Sequence, residues 1–369
     1  MIEPNRNVAD FRPPRTAAAN RVGNIVRLGH NERTAPLPDS VVEEMLSGIT
    51  PEELTALPEL EGVYQKVGAH LGVDRDAVLL CHGADQGINS LFQAYIGPGD
   101  EVVYVSPTYH RYSQFCRLYG ATAVEIGYDA AFGADLPSLT SSIRAATKLV
   151  VLVNPNSLSG ASLDLDQITT VVEQAQRHGA LVLVDEVYFH YCGVSALPLL
   201  DTYDNLVVAR SFSKAFGVAG VRVGVMVGAP EVIEQLWKLK PRHEISSVSA
   251  RIVAYLLDHP EIMETYVASV RAARVRFEAE LSQRGFDTVG GESASLLVRL
   301  PTGLERAALA ADLWKAGYEV SAGLPVPYER YLRITVGPWE QMAPFVEVFT
   351  SVVRSAQEKK EAGLRPAER

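Results

Sequence analysis

Hydrophobic positions along this chain fall into short, nearly continuous runs separated by amphipathic stretches. Residues 77–81, 101–106, 122–126, 148–153, 180–184, 206–209 and 221–227 are rich in Val, Leu and Ile. A strand buried on both faces has that texture, whereas a strand wetted on one side alternates. Helical patterns lie between them at 87–95, 109–119 and 164–178, the last with acidic residues at its start and Gly179 beyond its end. Two shorter helices are expected earlier, at 38–47 and 63–71. Strand and helix in turn predict an α/β fold whose large domain is a mostly parallel, seven-stranded sheet covered on both sides.

The texture changes after Val227. Helical patterns occupy 232–239 and 250–284, broken at Pro260. A strand at 294–300, a helix at 305–316, a strand at 331–336 and a helix at 338–357 follow. This predicts a smaller α+β domain. The expected organisation is an N-terminal arm (1–45), a large domain (46–235), a small domain (236–358) and a disordered tail (359–369). The arm is rich in Pro, Arg and Asn, with one apolar stretch at 25–28, and reads as a segment draped over something else.

Composition narrows the function classes. The 369 residues are 47% hydrophobic and 21% charged, enough for a substantial core. Net charge is −10 with no basic block, which argues against nucleic acid as a partner. No apolar run reaches ~18 residues, which argues against a membrane span. Three scattered cysteines form neither a disulfide framework nor a metal spacing. With no signal-like start, a cytoplasmic, reducing location and no bound metal are expected.

In a parallel sheet, ligands bind beyond the carboxyl ends of the strands. Lys214 lies just past the run at 206–209, among Ser211, Ser213 and Gly217, with Arg222 eight residues on. Two hydroxyls and a permanent cation suit a phosphate, and a partly buried lysine sheds its charge readily enough to form a Schiff base. Asp185 ends another buried run, and a carboxylate there needs a cation or donors. A protonated pyridine nitrogen would serve, and the pairing keeps such a ring an electron sink. Tyr188, three residues on, is within reach of the same ring. Gly83-Ala84-Asp85 turns a strand into a helix and offers amide groups to an anion. Tyr109 follows a strand end, where its ring could stack on a planar ligand. The turn Asn154-Pro155-Asn156-Ser157-Leu158-Ser159-Gly160 occupies a further strand end. Arg333 interrupts an apolar strand, and its planar fork fits a carboxylate. Singly, each has an ordinary reading as a cap, a turn, a core aromatic or an internal ion pair. Together they suit one ligand, pyridoxal 5'-phosphate.

Six segments carry a family resemblance: Gly83-Ala84-Asp85, Pro107-Thr108-Tyr109, Asp185-Glu186-Val187-Tyr188, Ser211-Phe212-Ser213-Lys214-Ala215-Phe216, Gly220-Val221-Arg222-Val223-Gly224 and Arg333-Ile334-Thr335-Val336-Gly337. In order and spacing the chain resembles, over about residues 24 to 355, a fold-type I pyridoxal-phosphate enzyme of the class I/II aminotransferases. The branch it is most similar to is the histidinol-phosphate aminotransferase-like one. The resemblance implies Lys214 as the aldimine-forming amine and proton shuttle. It implies Asp185 on the pyridine nitrogen, Tyr188 on the ring hydroxyl and Tyr109 stacked on the ring. Gly83, Ala84, Asp85, Ser211, Ser213 and Arg222 would form the phosphate site, and Arg333 would take the substrate carboxylate. It also implies a homodimer with shared active sites.

Departures from the family pattern bear on substrate. The second Asn of the family turn, which contacts the ring hydroxyl, is here Ser157, so Asn156 is expected to substitute by a small shift. Leu57 stands where a tyrosine often reaches the neighbouring subunit, and Ser321 where histidinol-phosphate enzymes place a phosphate-binding arginine. Arg242-His243-Glu244 replaces an apolar or amide-rich segment near the site mouth, where Glu244 could face a cationic side chain such as a guanidinium. The arm keeps Asn31-Glu32 but carries His30 and Arg33 around it, so His30 and Asn31 join the expected substrate-binding set. These features predict an aminotransferase acting on a polar L-amino acid and 2-oxo acid through a Lys aldimine and a quinonoid intermediate, with a substrate other than histidinol phosphate. The alternative on the same fold is a lyase, decarboxylase or cyclase.

Overall fold

The computed structural model describes residues 2, 6–9, 25–129 and 133–363; most of the arm and the end of the tail lie outside these. Twelve strands occur among the described residues: β1 (Val26–Arg27), β2 (Val78–His82), β3 (Glu101–Val105), β4 (Thr122–Ile126), β5 (Thr147–Val153), β6 (Leu181–Asp185), β7 (Leu206–Ser211), β8 (Val223–Gly228), β9 (Thr288–Val289), β10 (Ser295–Arg299), β11 (Tyr318–Glu319) and β12 (Tyr331–Thr335). The seven from β2 to β8 form one sheet, in the order β2-β8-β7-β6-β5-β3-β4. Only β8 runs against the others. The α/β class, the strand count and the mostly parallel sense match the sequence expectation.

Period-2 alternation sends the sheet's side chains into two separate cores. Val150, Leu152, Val182, Val184, Leu206 and Val208 face one. Leu149, Val151, Leu183, Val207, Ala209 and Met226 face the other. That two-sided burial is why these strands read as continuous hydrophobic runs. At the ends of β6 and β7 the same alternation decides which polar residue faces which way.

Beyond β8 a three-stranded antiparallel sheet, β12-β10-β9, packs with long helices. Pro260 divides the expected 250–284 helix into Ser247–Asp258 and Pro260–Gln283, taking the first turn of the second, where its missing N–H costs nothing. The last helix runs from Trp339 to Glu361, past the expected boundary. Lys359 and Lys360 suit its negative end, and Lys360 also donates to the Thr302 carbonyl at 3.0 Å. The first residues of the expected disordered tail are therefore helical. The small β1–β11 pair was not legible in the sequence. It ties residues 26–27 of the arm to the C-terminal part of the chain and delivers His30 and Asn31 to the carboxyl ends of the central strands of the large sheet.

Candidate active site

A cleft of about 140 Å³ opens at the carboxyl ends of β6 and β7, lined by Ala84, Asp85, Tyr109, Ser157, Asp185, Tyr188, Ser211, Ser213, Lys214 and Arg222 among others. Residues up to 138 positions apart in sequence meet there because the parallel strands all end on the same side.

Asp185 is the last residue of β6 and is 5% exposed. Its carboxylate accepts from the Tyr112 hydroxyl at 2.6 Å and from the Val187 amide at 3.2 Å. It has no ion-pair partner among the described residues. Burial raises its pKa above the ordinary carboxylate value, opposed by the Tyr112 hydrogen bond. Such a group is built to meet a cation supplied from outside. Tyr112 was missed from sequence; the available signal was a tyrosine on a helix packed against a strand end, whose buried hydroxyl must find a partner.

Lys214 is half-buried, and its Nζ donates to the His30 carbonyl at 3.3 Å and lies 5.6 Å from the Tyr188 ring centre. No carboxylate pairs with it among the described residues, so the amine can be redirected. Around it, the Ser211 hydroxyl accepts from the Ser213 amide at 3.1 Å, and the Ser213 hydroxyl is 3.5 Å from Arg222 Nη1. The helix Ala84–Tyr95 points its N-terminus at this group. Gly83 has φ +76°, and a Cβ there would strike the Arg222 guanidinium; a Cβ on Gly224 would strike the Ala84 amide. The two glycines thus let an arginine and a helix N-terminus crowd into one anion-binding cradle. Tyr109 is held upright by its hydroxyl on Asp85 at 3.1 Å, while Arg111 pairs with Asp85 at 3.2 Å.

Asn31 joins the two halves of the site. It is 2% exposed, its amide group donates to the Tyr188 hydroxyl at 3.2 Å and the Ser157 carbonyl at 3.4 Å, and its backbone N–H donates to Thr335 at 2.9 Å. Among the described residues only Asn31 (φ 55°) and Arg222 (φ 59°) have positive φ without being glycine. Both lie at this site, where such strain concentrates. Arg333, in the middle of β12, donates to the Gly29 carbonyl at 2.8 Å, and its Nε is buried without a partner. Burial lowers its pKa, with no carboxylate to oppose the effect. Gly29 and His30 are adjacent, so Arg333 and Lys214 hold neighbouring carbonyls.

Three expected site residues are placed otherwise. The Asn156 side chain is consumed by its own turn, accepting from the Leu158 and Ser159 amides at 2.9 and 3.3 Å and donating to Thr108 at 3.1 Å. It is Ser157 that lines the cleft. The His30 imidazole turns away to Glu319 at 2.7 Å, and only its carbonyl meets Lys214. Glu244 is not at the mouth: it is 4% exposed, bonded to the Tyr64 hydroxyl and to Lys240 at 2.7 Å, and has nothing left for a cationic substrate.

The family model for aminotransferase class I and II matches residues 24–349. The chain belongs to that family. It is therefore a pyridoxal-phosphate-dependent transferase, and the cleft suits that cofactor: an unpaired buried carboxylate for a ring nitrogen, a half-buried amine for an aldehyde, and an arginine-and-helix cradle for a phosphate. Similar sequences include histidinol-phosphate aminotransferase 3 of Mesorhizobium japonicum, 26% identical over 334 residues, covering 89% of this chain and 88% of the relative. The histidinol-phosphate aminotransferase of Pyrococcus furiosus is 27% identical over 337 residues, covering 90% and 93%. Among solved structures, the histidinol-phosphate aminotransferase of Sinorhizobium meliloti in complex with pyridoxal 5'-phosphate superposes with TM-score 0.80 at 21% identity, covering 90% of this chain and 91% of that one. The aspartate aminotransferase of Thermus thermophilus with maleate gives 0.81 at 22% identity, covering 95% and 100%. These likenesses establish the aminotransferase fold. No helix among the described residues is long and apolar enough to cross a membrane.

Proposed function

We propose that this aminotransferase moves an amino group between a polar L-amino acid and a 2-oxo acid, and that the amino acid carries no phosphate. The observation that carries the reading is an unpaired, half-buried amine beside a buried carboxylate and an arginine with an unpartnered N–H. Bound pyridoxal phosphate supplies an aldehyde for the amino group and a ring that accepts electron density. Asp185 would hold the ring nitrogen and favour its charged form, since that cation would offset the burial of the carboxylate. Tyr109 would wall one face of the ring, and Tyr188 and Ser157 would serve the ring hydroxyl. Ser211, Ser213, Arg222 and the amides of Ala84 and Asp85 take the phosphate. Lys214 would be the amine that bonds the cofactor's aldehyde, with loss of water, and when free of it would hold and move the proton at the substrate Cα. Arg333 grips the substrate carboxylate and thereby sets that Cα against the amine.

A donor without phosphate is supported by the neighbour of Arg333. Ser321 pairs with it backbone to backbone, at 3.0 and 3.1 Å, and is the residue standing where a phosphate-binding arginine is expected. Histidinol phosphate, named for the relatives above, is the competing donor. We further propose that the boundary between large and small domains is the one read from the sequence, with the small domain extended through the last helix to Glu361, and that a second copy covers Leu46, Leu54 and Leu57, which are 40%, 65% and 68% exposed.

The test is borohydride reduction of protein saturated with pyridoxal 5'-phosphate, followed by peptide mapping, with a panel of amino acids assayed with and without a 2-oxo acid. Label on Lys214 and turnover that requires the acceptor are expected. Repeated turnover without acceptor would contradict transamination, and fast turnover of histidinol phosphate would contradict a phosphate-free donor.

A further inference from the structure

Behind the cleft, on the opposite face of the sheet, lies an ion pair that the chemistry does not use. Glu186 is fully buried and Arg210 is 7% exposed. Arg210 Nε and Nη2 reach one carboxylate oxygen of Glu186 at 2.8 and 2.7 Å. Ser195 donates to the same oxygen at 2.9 Å and accepts from Arg210 at 2.8 Å, while the Ala196 amide donates to the other oxygen at 2.5 Å. The guanidinium lies 3.6 Å from the Phe189 ring centre. Both charges are thus satisfied, in a place where a pair of apolar side chains would serve the core as well, because desolvating two ions offsets most of their attraction.

What the pair does is set by its place in the strands. Asp185 is opposite Ala209 in the β6–β7 register, and the Glu186 amide continues the ladder to the Ala209 carbonyl at 2.9 Å. Arg210 shares the face of Leu206 and Val208, whereas Ser211 shares the face of Val207 and Ala209. Glu186 and Arg210 therefore each sit one residue from a cleft residue, Asp185 and Ser211 respectively. Joined by two guanidinium N–H groups converging on one carboxylate oxygen, with Ser195 and Ala196 fixing the carboxylate, they hold the separation of the two strand ends.

We propose that Glu186 and Arg210 are positioning residues that hold Asp185 and Ser211 at the spacing one ligand needs to meet both. The proposal rests on the reading of Asp185 as the ring-nitrogen contact and Ser211 as a phosphate contact. It predicts a loss specific to ligands that bridge the two anchors. Pyridoxal 5'-phosphate must satisfy both at once, whereas pyridoxal uses only the first and inorganic phosphate only the second.

The test compares these three probes by calorimetric titration of cofactor-free protein, alongside thermal unfolding. The variants are Glu186→Leu/Arg210→Met, which keeps volume and leaves no unpaired charge, and Arg210→Lys, which keeps the charge without the fork. The double variant is expected to fold and to bind pyridoxal 5'-phosphate about 10- to 100-fold more weakly, by analogy with the loss of residues that orient ligands. Its affinities for pyridoxal and phosphate should change by less than about threefold, and Arg210→Lys should fall between it and wild type. Should the double variant not fold, Arg210→Lys carries the same comparison. Unchanged affinity for pyridoxal 5'-phosphate, or an equal loss for all three probes, overturns the proposal. Wild-type protein that binds no pyridoxal 5'-phosphate would instead overturn the cofactor reading beneath it.

Discussion

Replacing Asp185 by Asn should stabilise the cofactor-free protein and weaken its hold on the cofactor, two effects of opposite sign from one atom. In the free protein the carboxylate is buried with two hydrogen bonds and no cation. Asparagine keeps both contacts: Oδ1 still accepts from the Val187 amide, and Nδ2 donates to the Tyr112 oxygen, which can act as acceptor. Removing the buried charge is worth about 1–3 kcal/mol. At ~2.1 cal/mol/K per residue, a chain of 369 residues unfolding as one unit gains about 1.3 °C for each kcal/mol, so Tm should rise by about 1–4 °C. The pH dependence has a definite sign. The folded pKa of Asp185 lies above its unfolded value, so this residue's contribution to stability is fully present below pH ~4 and is lost as pH rises through the folded pKa. The advantage of asparagine should therefore be absent below pH ~4 and grow as pH rises through the folded pKa of Asp185. With the cofactor, loss of a buried charge pair costs about 3–5 kcal/mol, a rise of roughly 10²- to 4 × 10³-fold in Kd. Scanning calorimetry of the free proteins across pH and cofactor titration at pH 7 measure the two effects. A free variant less stable than wild type at every pH, with unchanged cofactor affinity, would refute the assignment.

Arg333→Lys keeps the cation but loses the fork and should raise the KM for amino acid about 10- to 100-fold with kcat little changed, as steady-state kinetics would show. Glu244→Gln leaves Lys240, whose side chain is 9% exposed, without its counter-charge and should lower stability by about 3–5 kcal/mol in denaturant unfolding. The same variant should leave the relative rates of cationic and neutral donors unchanged, in contrast to the sequence expectation of a substrate-facing Glu244.

The sequence by itself determined the sheet, because strands buried on both faces must be apolar throughout, and seven such runs are visible. It also marked strand ends that the fold brings to the cleft, because a lysine or an aspartate at the end of such a run has no place in a core. Tertiary structure decided where neighbouring polar side chains point. Asn156 and Ser157 are indistinguishable as turn residues, yet the turn's own amides consume Asn156 and leave Ser157 in the cleft. Glu244 read as a rim charge because Tyr64, the partner that buries it, lies 180 residues away in sequence, although Lys240 is only four away. Tyr112 became part of the site only through a contact 73 residues away in sequence, and the partner of the expected Asn31, the Tyr188 hydroxyl, is 157 residues away. Hydrophobic periodicity reports burial within a segment, whereas a side-chain hydrogen bond depends on the position of a second segment that the pattern does not encode.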